Sequence, residues 1–111
     1  MPSYKPGNIV VAKVLFTKSS EFKYRPVVIA KVLNNDCYEV CKITHKNHSG
    51  FKNGKWIIEG SDEWVTMGLL QSSFVLIDDR AEIHVTDIIE FLGTCPFMDD
   101  IEPPDYTEDE Y

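Results

Sequence analysis

The apolar residues of this chain come in short runs that turn-forming residues separate. The longest uninterrupted runs, such as Ile9 to Ala12, Val27 to Ala30 and Phe74 to Ile77, contain four residues. A membrane-spanning helix needs roughly 18 or more apolar residues in a row, so the sequence predicts no such span. Short runs rich in β-branched residues and bounded by turn signals predict a chain of short β-strands.

Strand signals occur six times along the 111 residues. The predicted strands are residues 9–16, 27–33, 37–43, 56–59, 74–77 and 81–84. Two short helices are predicted beside them, one from the N-cap Ser61 to about residue 69 and one from Thr86 or Asp87 to residue 92. This pattern predicts a mainly β domain with short helices, folded as a compact antiparallel barrel or rolled sheet.

The charge is distributed unevenly along the chain. The whole sequence carries 11 Lys and Arg against 18 Asp and Glu, a net charge of −7. Residues 1–55 hold ten of the basic residues and three acids, which gives +7, whereas residues 56–95 and residues 96–111 each give −7. A basic half is what the binding of phosphate groups uses. The alternative is that these charges are solvated and scattered over the surface.

The composition changes at Pro96. Residues 96–111 contain seven acidic residues, three prolines and no basic residue. We therefore predict a folded domain over residues 1–95 and an acidic tail over residues 96–111. The simplest role of such a tail is to keep the protein soluble.

Cysteine usage argues against both a disulfide framework and a metal site. Three cysteines are an odd number, and residues 1–7 lack the apolar core of a secretory signal, so reduced thiols and a cytoplasmic protein are expected. Cys37, Cys41 and His45 follow one another every four residues. On a strand, positions four apart are separated by roughly 13 Å, too far to share one zinc ion at about 2.3 Å per ligand. The sequence therefore predicts core cysteines and no metal.

No phosphate-binding glycine loop, nucleophile elbow, zinc-protease helix or paired CxxC motif is present. The chain does show a distinctive order of segments. These are Gly7-Asn8-Ile9-Val10-Val11, Arg25-Pro26 before an aliphatic strand, Lys42-Ile43-Thr44, Ser73 to Asp78, and a Leu92-Gly93 ending. In this order, over roughly residues 6–95, the chain resembles the MazF/PemK toxins of bacterial toxin–antitoxin systems.

The resemblance implies an SH3-like barrel that forms a homodimer and cleaves single-stranded RNA as an mRNA interferase. It implies no metal and no cofactor, because the ribose 2′-hydroxyl is the nucleophile in that family. It also implies an acidic antitoxin protein as partner, and contact with DNA only through the antitoxin complex. A related hypothesis is that the acidic tail itself, here or in a partner subunit, occupies the basic groove as a mimic of RNA.

Four residues are candidates for catalysis. Arg25 matches the arginine of the family's Arg-Pro pair, and its planar guanidinium suits a phosphate. Thr44 matches a threonine after the aliphatic strand, and Asp78 matches a carboxylate position. His45 is a further candidate for the general base, because histidine titrates near neutral pH. On an uninterrupted strand, however, His45 would face away from Thr44.

Polar, basic and aromatic residues of the two long loops are the candidates for RNA binding, with charge for the backbone and rings for the bases. They are Thr17, Lys18, Ser19, Lys23, Tyr24, Lys46, Lys52 and Lys55. For the aromatic residues Tyr24 and Trp56, the alternative is a place in the core or at a dimer interface.

The rival hypothesis is a barrel that binds nucleic acid or protein without catalysis. Where some members of the family have a loop histidine and a late-strand arginine, this chain has Ser19 and Leu76. Its opening reads Gly7-Asn8 where Gly-Asp is usual. These departures leave catalysis less well supported by the sequence than the fold.

Overall fold

The described part of the chain forms a single antiparallel sheet of six strands. A computed structural model describes residues 4–15, 22–45 and 54–101. The strands are β1 (Asn8–Leu15), β2 (Phe22–Val32), β3 (Cys37–Thr44), β4 (Gly54–Ile57), β5 (Ser73–His84) and β6 (Ile88–Thr94). They lie in the order β4-β5-β3-β2-β1-β6, and α1 (Asp62–Met67), α2 (Met98–Ile101) and a 3₁₀ turn (Val85–Asp87) connect or follow them. The predicted mainly β fold with short helices is confirmed.

Both faces of the sheet are buried, which explains why its central strands read as unbroken apolar runs. Ile9 and Val10 are neighbours on β1 and both are fully buried, yet they belong to different clusters. One face is covered by α1 and α2 and is called the helix face. On it, Ile9, Val28 and Ile43 of the sheet form one cluster with Met67 of α1 and Ile101 of α2. The second face carries Val10, Val27, Val40 and Ile83.

The predicted helix start at Ser61 is confirmed. The Ser61 hydroxyl accepts a hydrogen bond from the backbone N–H of Trp64 at 3.2 Å, and the acidic residues Asp62 and Glu63 lie in the first turn. The helix ends at Met67, earlier than predicted, because Gly68 adopts a left-handed conformation with φ of 73°. Within the three described ranges, no helix is long and apolar enough to cross a membrane.

The second predicted helix, over residues 86–92, is wrong. Only the 3₁₀ turn forms there, and Asp87 caps it by accepting a hydrogen bond from the His84 N–H at 2.9 Å. The residues that follow become β6, which pairs with β1 from Asn8 to Ala12. Pairing satisfies the backbone groups along one edge of β1, and the β-branched Ile88 and Ile89 suit a strand better than a helix.

The two strands predicted around Asp78 are one strand, β5, with an irregularity. Cys41 lies opposite Arg80 and Lys42 lies opposite Leu76, so residues 77–79 have no partner position on β3. Arg80 stabilises this irregularity, since its Nε donates to the Ile77 carbonyl oxygen at 2.7 Å. A side chain thus takes over part of the hydrogen bonding that the ladder loses there.

The core extends beyond residue 95, where the sequence predicts the folded domain to end. Phe97 is buried and Ile101 is fully buried on the helix face. Arg80 Nη2 donates to the Ile101 carbonyl oxygen at 2.6 Å and so fastens α2 to the sheet. The remainder of the predicted acidic tail, residues 102–111, lies outside the described residues.

Two glycines let α1 lie directly against β6. A Cβ on Gly93 would overlap the Thr66 carbonyl oxygen, and one on Gly68 would overlap the Leu92 carbonyl oxygen. The backbones of α1 and β6 therefore approach more closely than residues with a Cβ atom at positions 68 and 93 would allow. This contact fixes where the segment after α1, residues 69–71, lies on the sheet.

We expect Gly93→Ala to destabilise the fold, because the added methyl group forces α1 away from β6. The expected loss in free energy of unfolding is about 1–3 kcal/mol, the usual range for overpacking. Urea denaturation followed by circular dichroism measures it. Thr94→Ala, at the next and exposed position of β6, is the control and should change stability by about 0.5 kcal/mol or less. Equal effects of the two substitutions would contradict the close contact.

Candidate functional site

An open cavity of about 430 Å³ lies where β1, β2, β3 and β6 meet the segment that joins α1 to β5. Its polar and charged lining residues are Arg25, Thr44, His45, Gln71, Ser73 and Glu90. Its apolar and aromatic lining residues are Val11, Tyr24, Pro26, Ile43, Leu69, Leu70 and Leu92. Three of the four predicted catalytic residues, Arg25, Thr44 and His45, therefore lie in one cavity.

The pairing of β2 with β3 brings Arg25 and Thr44 together. Val27 lies opposite Lys42, and both strands continue by two residues from this pair towards the cavity, β2 to Arg25 and β3 to Thr44. Both residues belong to strands, so their separation depends on the sheet and not on a loop.

The Arg25-Pro26 dipeptide affects the backbone hydrogen bonding between β2 and its neighbours. Pro26 has no N–H to donate to the neighbouring strand. The Ile43 carbonyl oxygen, next to Thr44, instead accepts a long hydrogen bond of 3.4 Å from Arg25 Nη1. One side chain thereby compensates for a missing backbone donor, and the guanidinium is held against the end of β3.

Arg25 is partly buried, and this burial changes its electrostatics. Desolvation lowers the pKa of the Arg25 guanidinium below its ordinary value. An arginine remains protonated at neutral pH in spite of such a shift. A cation that is partly withdrawn from water attracts an anion more strongly than a fully hydrated one. The cavity therefore offers a fixed positive charge to a phosphate.

His45 lies beside Thr44 because β3 ends at Thr44. The alternation of faces along a strand therefore does not extend to His45, which is exposed and lines the cavity together with Thr44.

Asp78 is not among the cavity residues, although the sequence analysis places it in the site. It is exposed and belongs to the irregular part of β5, residues 77–79. The carboxylate that does line the cavity is Glu90 of β6, opposite Val11 of β1. The sequence analysis missed Glu90 because it assigned residues 86–92 to a helix. The adjacent isoleucines at 88 and 89 were the available signal for a strand.

Of the predicted RNA-binding residues, Tyr24 lines the cavity. Lys23 lies beside it on β2, exposed and outside the lining. Lys55 is engaged elsewhere, since its Nζ lies 3.4 Å from Glu63 Oε2 and 4.6 Å from the centre of the Phe97 ring. The other predicted residues lie outside the described ranges: Thr17, Lys18, Ser19, Lys46 and Lys52.

Two of the three cysteines lie in the core, as predicted. Cys41 and Cys95 are buried, and burial raises the pKa of the Cys41 thiol to about 11, whereas Cys37 is half-buried and belongs to neither core cluster. Trp56 is half-buried and its ring lies 6.3 Å from that of Phe74, centre to centre. Over residues 4–15, 22–45 and 54–101, no three His, Cys, Asp or Glu side chains are grouped so that they could hold a metal ion.

Comparison with known proteins adds no family assignment. No protein-family model matches the chain. No curated protein matches it either.

We expect inorganic phosphate to bind weakly in the cavity, in the millimolar range. In a two-dimensional NMR titration, phosphate should shift the backbone amide signals of Thr44, His45 and Ser73, because these residues line the same cavity as Arg25. The amide of Asp78 serves as the internal control and should not move. Arg25→Gln should abolish the shifts. Shifts that persist in this variant would contradict an anion site centred on Arg25.

Proposed function

We propose that this protein is a metal-independent endoribonuclease that cleaves single-stranded RNA, as its resemblance to the MazF/PemK toxins implies. The observation that carries the proposal is that Arg25 and Thr44, two of the three residues singled out by that resemblance, line one cavity. A guanidinium and a hydroxyl side by side are what the transesterification of a phosphodiester requires.

The reaction follows from the chemistry of RNA. The ribose 2′-oxygen attacks the adjacent phosphorus, a new P–O2′ bond forms, and the P–O5′ bond breaks. Negative charge increases on the two non-bridging oxygens during this step. Arg25 stabilises that charge through its fixed cation, and the Thr44 hydroxyl donates a hydrogen bond to one of the same oxygens.

Two further groups are assigned to proton transfer. The strand order β3-β2-β1-β6 places Arg25 between His45, at the end of β3, and Glu90, on β6. An in-line displacement needs a base beside the nucleophile and an acid beside the leaving group, on opposite sides of the phosphorus. Glu90 as carboxylate takes the proton from the 2′-hydroxyl, and His45 gives a proton to the departing 5′-oxygen.

The wider setting of the activity is part of the same proposal. The enzyme works in the cytoplasm as a homodimer, and an acidic antitoxin, or its own acidic tail, holds it in check by covering the cavity. DNA is contacted only through the antitoxin complex. The basic first half of the chain, with a charge of +7 over residues 1–55, supports an anionic substrate and an acidic partner.

A non-catalytic barrel that binds nucleic acid or protein is the second candidate. It is favoured by Leu76, which stands where some toxins have an arginine and which is buried opposite Lys42. Among the described residues that line the cavity, Arg25 is then the one permanent cation, where those toxins have two. Growth arrest on induced expression separates the candidates, because RNA cleavage stops growth whereas binding alone does not.

We expect the purified protein to cleave single-stranded RNA in the presence of EDTA. Arg25→Ala should lower kcat by about 10²–10³-fold, the usual effect of removing a group that stabilises an oxyanion. Thr44→Val, which keeps the shape and loses the hydroxyl, should lower it by about 10-fold or more. Gel analysis of a labelled RNA measures both effects.

Lys31→Gln is the matched control for the arginine variant, because Lys31 is an exposed cation of the same strand outside the cavity. Its cleavage rate should equal that of the unaltered protein. RNA that stays intact with the unaltered protein, or cleavage that Arg25→Ala leaves unchanged, would contradict the proposed function.

The two carboxylates are expected to behave differently. Glu90→Gln should lower kcat by about 10²–10⁴-fold, because an amide cannot take the proton from the 2′-hydroxyl. Asp78→Asn should leave the rate unchanged. The cleavage rates of the three proteins on one labelled RNA test this assignment. The reverse result, with Asp78 needed and Glu90 dispensable, would overturn it.

A further inference from the structure

Leu70 stands out among the cavity residues because it is an apolar side chain that is 90% exposed. It is the most exposed large hydrophobic residue of the described ranges. Tyr24, 59% exposed, lines the same cavity from β2. Leu70 and Tyr24, one aliphatic and one aromatic, are thus both exposed at the same cavity.

The backbone around Leu70 is fixed on both sides. Before it, the Gly68 N–H donates to the Trp64 and Val65 carbonyl oxygens, and Leu69 is buried in the core. After it, the Ser73 hydroxyl donates to the Gln71 carbonyl oxygen at 2.9 Å. The segment that joins α1 to β5 is therefore fixed on both sides of Leu70, which it places at the cavity.

Tyr24 belongs to the face of the sheet on which this connection packs. Tyr24 alternates on β2 with Pro26 and Val28, and Val28 belongs to the helix-face cluster that also contains Leu69. Tyr24 and the connection after α1 therefore lie on the same side of the sheet. Arg25, the proposed phosphate ligand, alternates with Val27 of the second face, so the two side chains leave β2 on opposite faces. Both residues nevertheless line the cavity.

We propose that Tyr24 and Leu70 form a subsite that holds one nucleobase of single-stranded RNA, next to the phosphate bound by Arg25. A base is flat and largely apolar on its two faces, so an aromatic ring and an aliphatic side chain can both cover it. Gln71, an exposed cavity residue, has an amide with donors and an acceptor that suit the polar edge of the base. The identity of the ligand, single-stranded RNA, rests on the proposed function. The subsite would give the enzyme a preference for one kind of base beside the cleaved bond.

The test measures binding without cleavage. A short RNA with 2′-O-methyl groups has no free nucleophile, and fluorescence anisotropy of its labelled form gives the dissociation constant. Tyr24→Ala should weaken binding by about 5–150-fold, the range expected for the loss of stacking on one base. Tyr24→Phe, which keeps the ring, should stay within about two-fold. Leu70→Ala should weaken binding by about 3–10-fold.

Two exposed apolar residues outside the cavity lining serve as matched controls. Phe22 lies on the same strand as Tyr24 and is 57% exposed, and Val65 of α1 is 64% exposed. Phe22→Ala and Val65→Ala should stay within about two-fold of the unaltered protein. If Phe22→Ala weakens binding as much as Tyr24→Ala, general apolar attraction explains the result and the subsite is refuted.

A series of RNAs with one abasic position adds an independent readout. Removing the base that occupies the subsite should weaken binding to the unaltered protein and should have no further effect on Tyr24→Ala. The absence of any position with this behaviour would overturn the subsite. An acidic peptide provides a further control. If the peptide does not displace RNA, and if Tyr24→Ala weakens binding of the peptide, then Tyr24 and Leu70 bind a protein partner. This result would also overturn the proposed base subsite.

Failure of the subsite and failure of the proposed function give different results. If unmodified RNA is cleaved and Tyr24→Ala leaves kcat/KM unchanged, the subsite is wrong and the nuclease stands. If the modified RNA binds with the expected dependence on the base while unmodified RNA stays intact, the subsite stands and catalysis is refuted.

Discussion

The arrangement of the candidate site depends on the pairing of β2 with β3. From the pair Val27 and Lys42, the two strands run to the cavity, which Arg25 and Thr44 both line. β2 is also paired with β1, and its side chains are buried on both faces of the sheet. A shift by one residue would break two ladders and exchange the two packed faces. The core of the sheet therefore fixes the positions of the two strand segments that carry Arg25 and Thr44.

Much of the fold could be predicted from local sequence patterns. The β-branched runs predicted β1, β2 and β3, and Ser61 predicted the start of α1, because strand propensity and N-capping act over a few neighbouring residues. Arg25 and Thr44 could be selected because the resemblance to the MazF/PemK toxins matches an Arg-Pro pair and a threonine after an aliphatic strand. The two residues share a cavity because of the strand pairing, and this pairing cannot be predicted from local sequence patterns.

The rest of the site depends on contacts between distant parts of the chain. Glu90 reaches the cavity because β6 adds to the edge of β1, and a local capping signal at Thr86 and Asp87 concealed this pairing. Asp78 is displaced because residues 77–79 of β5 have no partner position on β3. Ile101 enters the core because the Arg80 guanidinium binds its carbonyl oxygen, a contact that the acidic composition around it does not suggest. In each case long-range packing overrides the local preference.

The most direct test of this account is the chemical nature of the RNA ends that the protein produces in EDTA. Attack by the ribose 2′-oxygen beside Arg25 and Thr44 predicts a 2′,3′-cyclic phosphate on the upstream fragment and a 5′-hydroxyl on the downstream fragment, both measurable by mass spectrometry. Fragments with 3′-hydroxyl and 5′-phosphate ends would contradict the account, because they require attack by water from outside the RNA. Uncut RNA would contradict it as well.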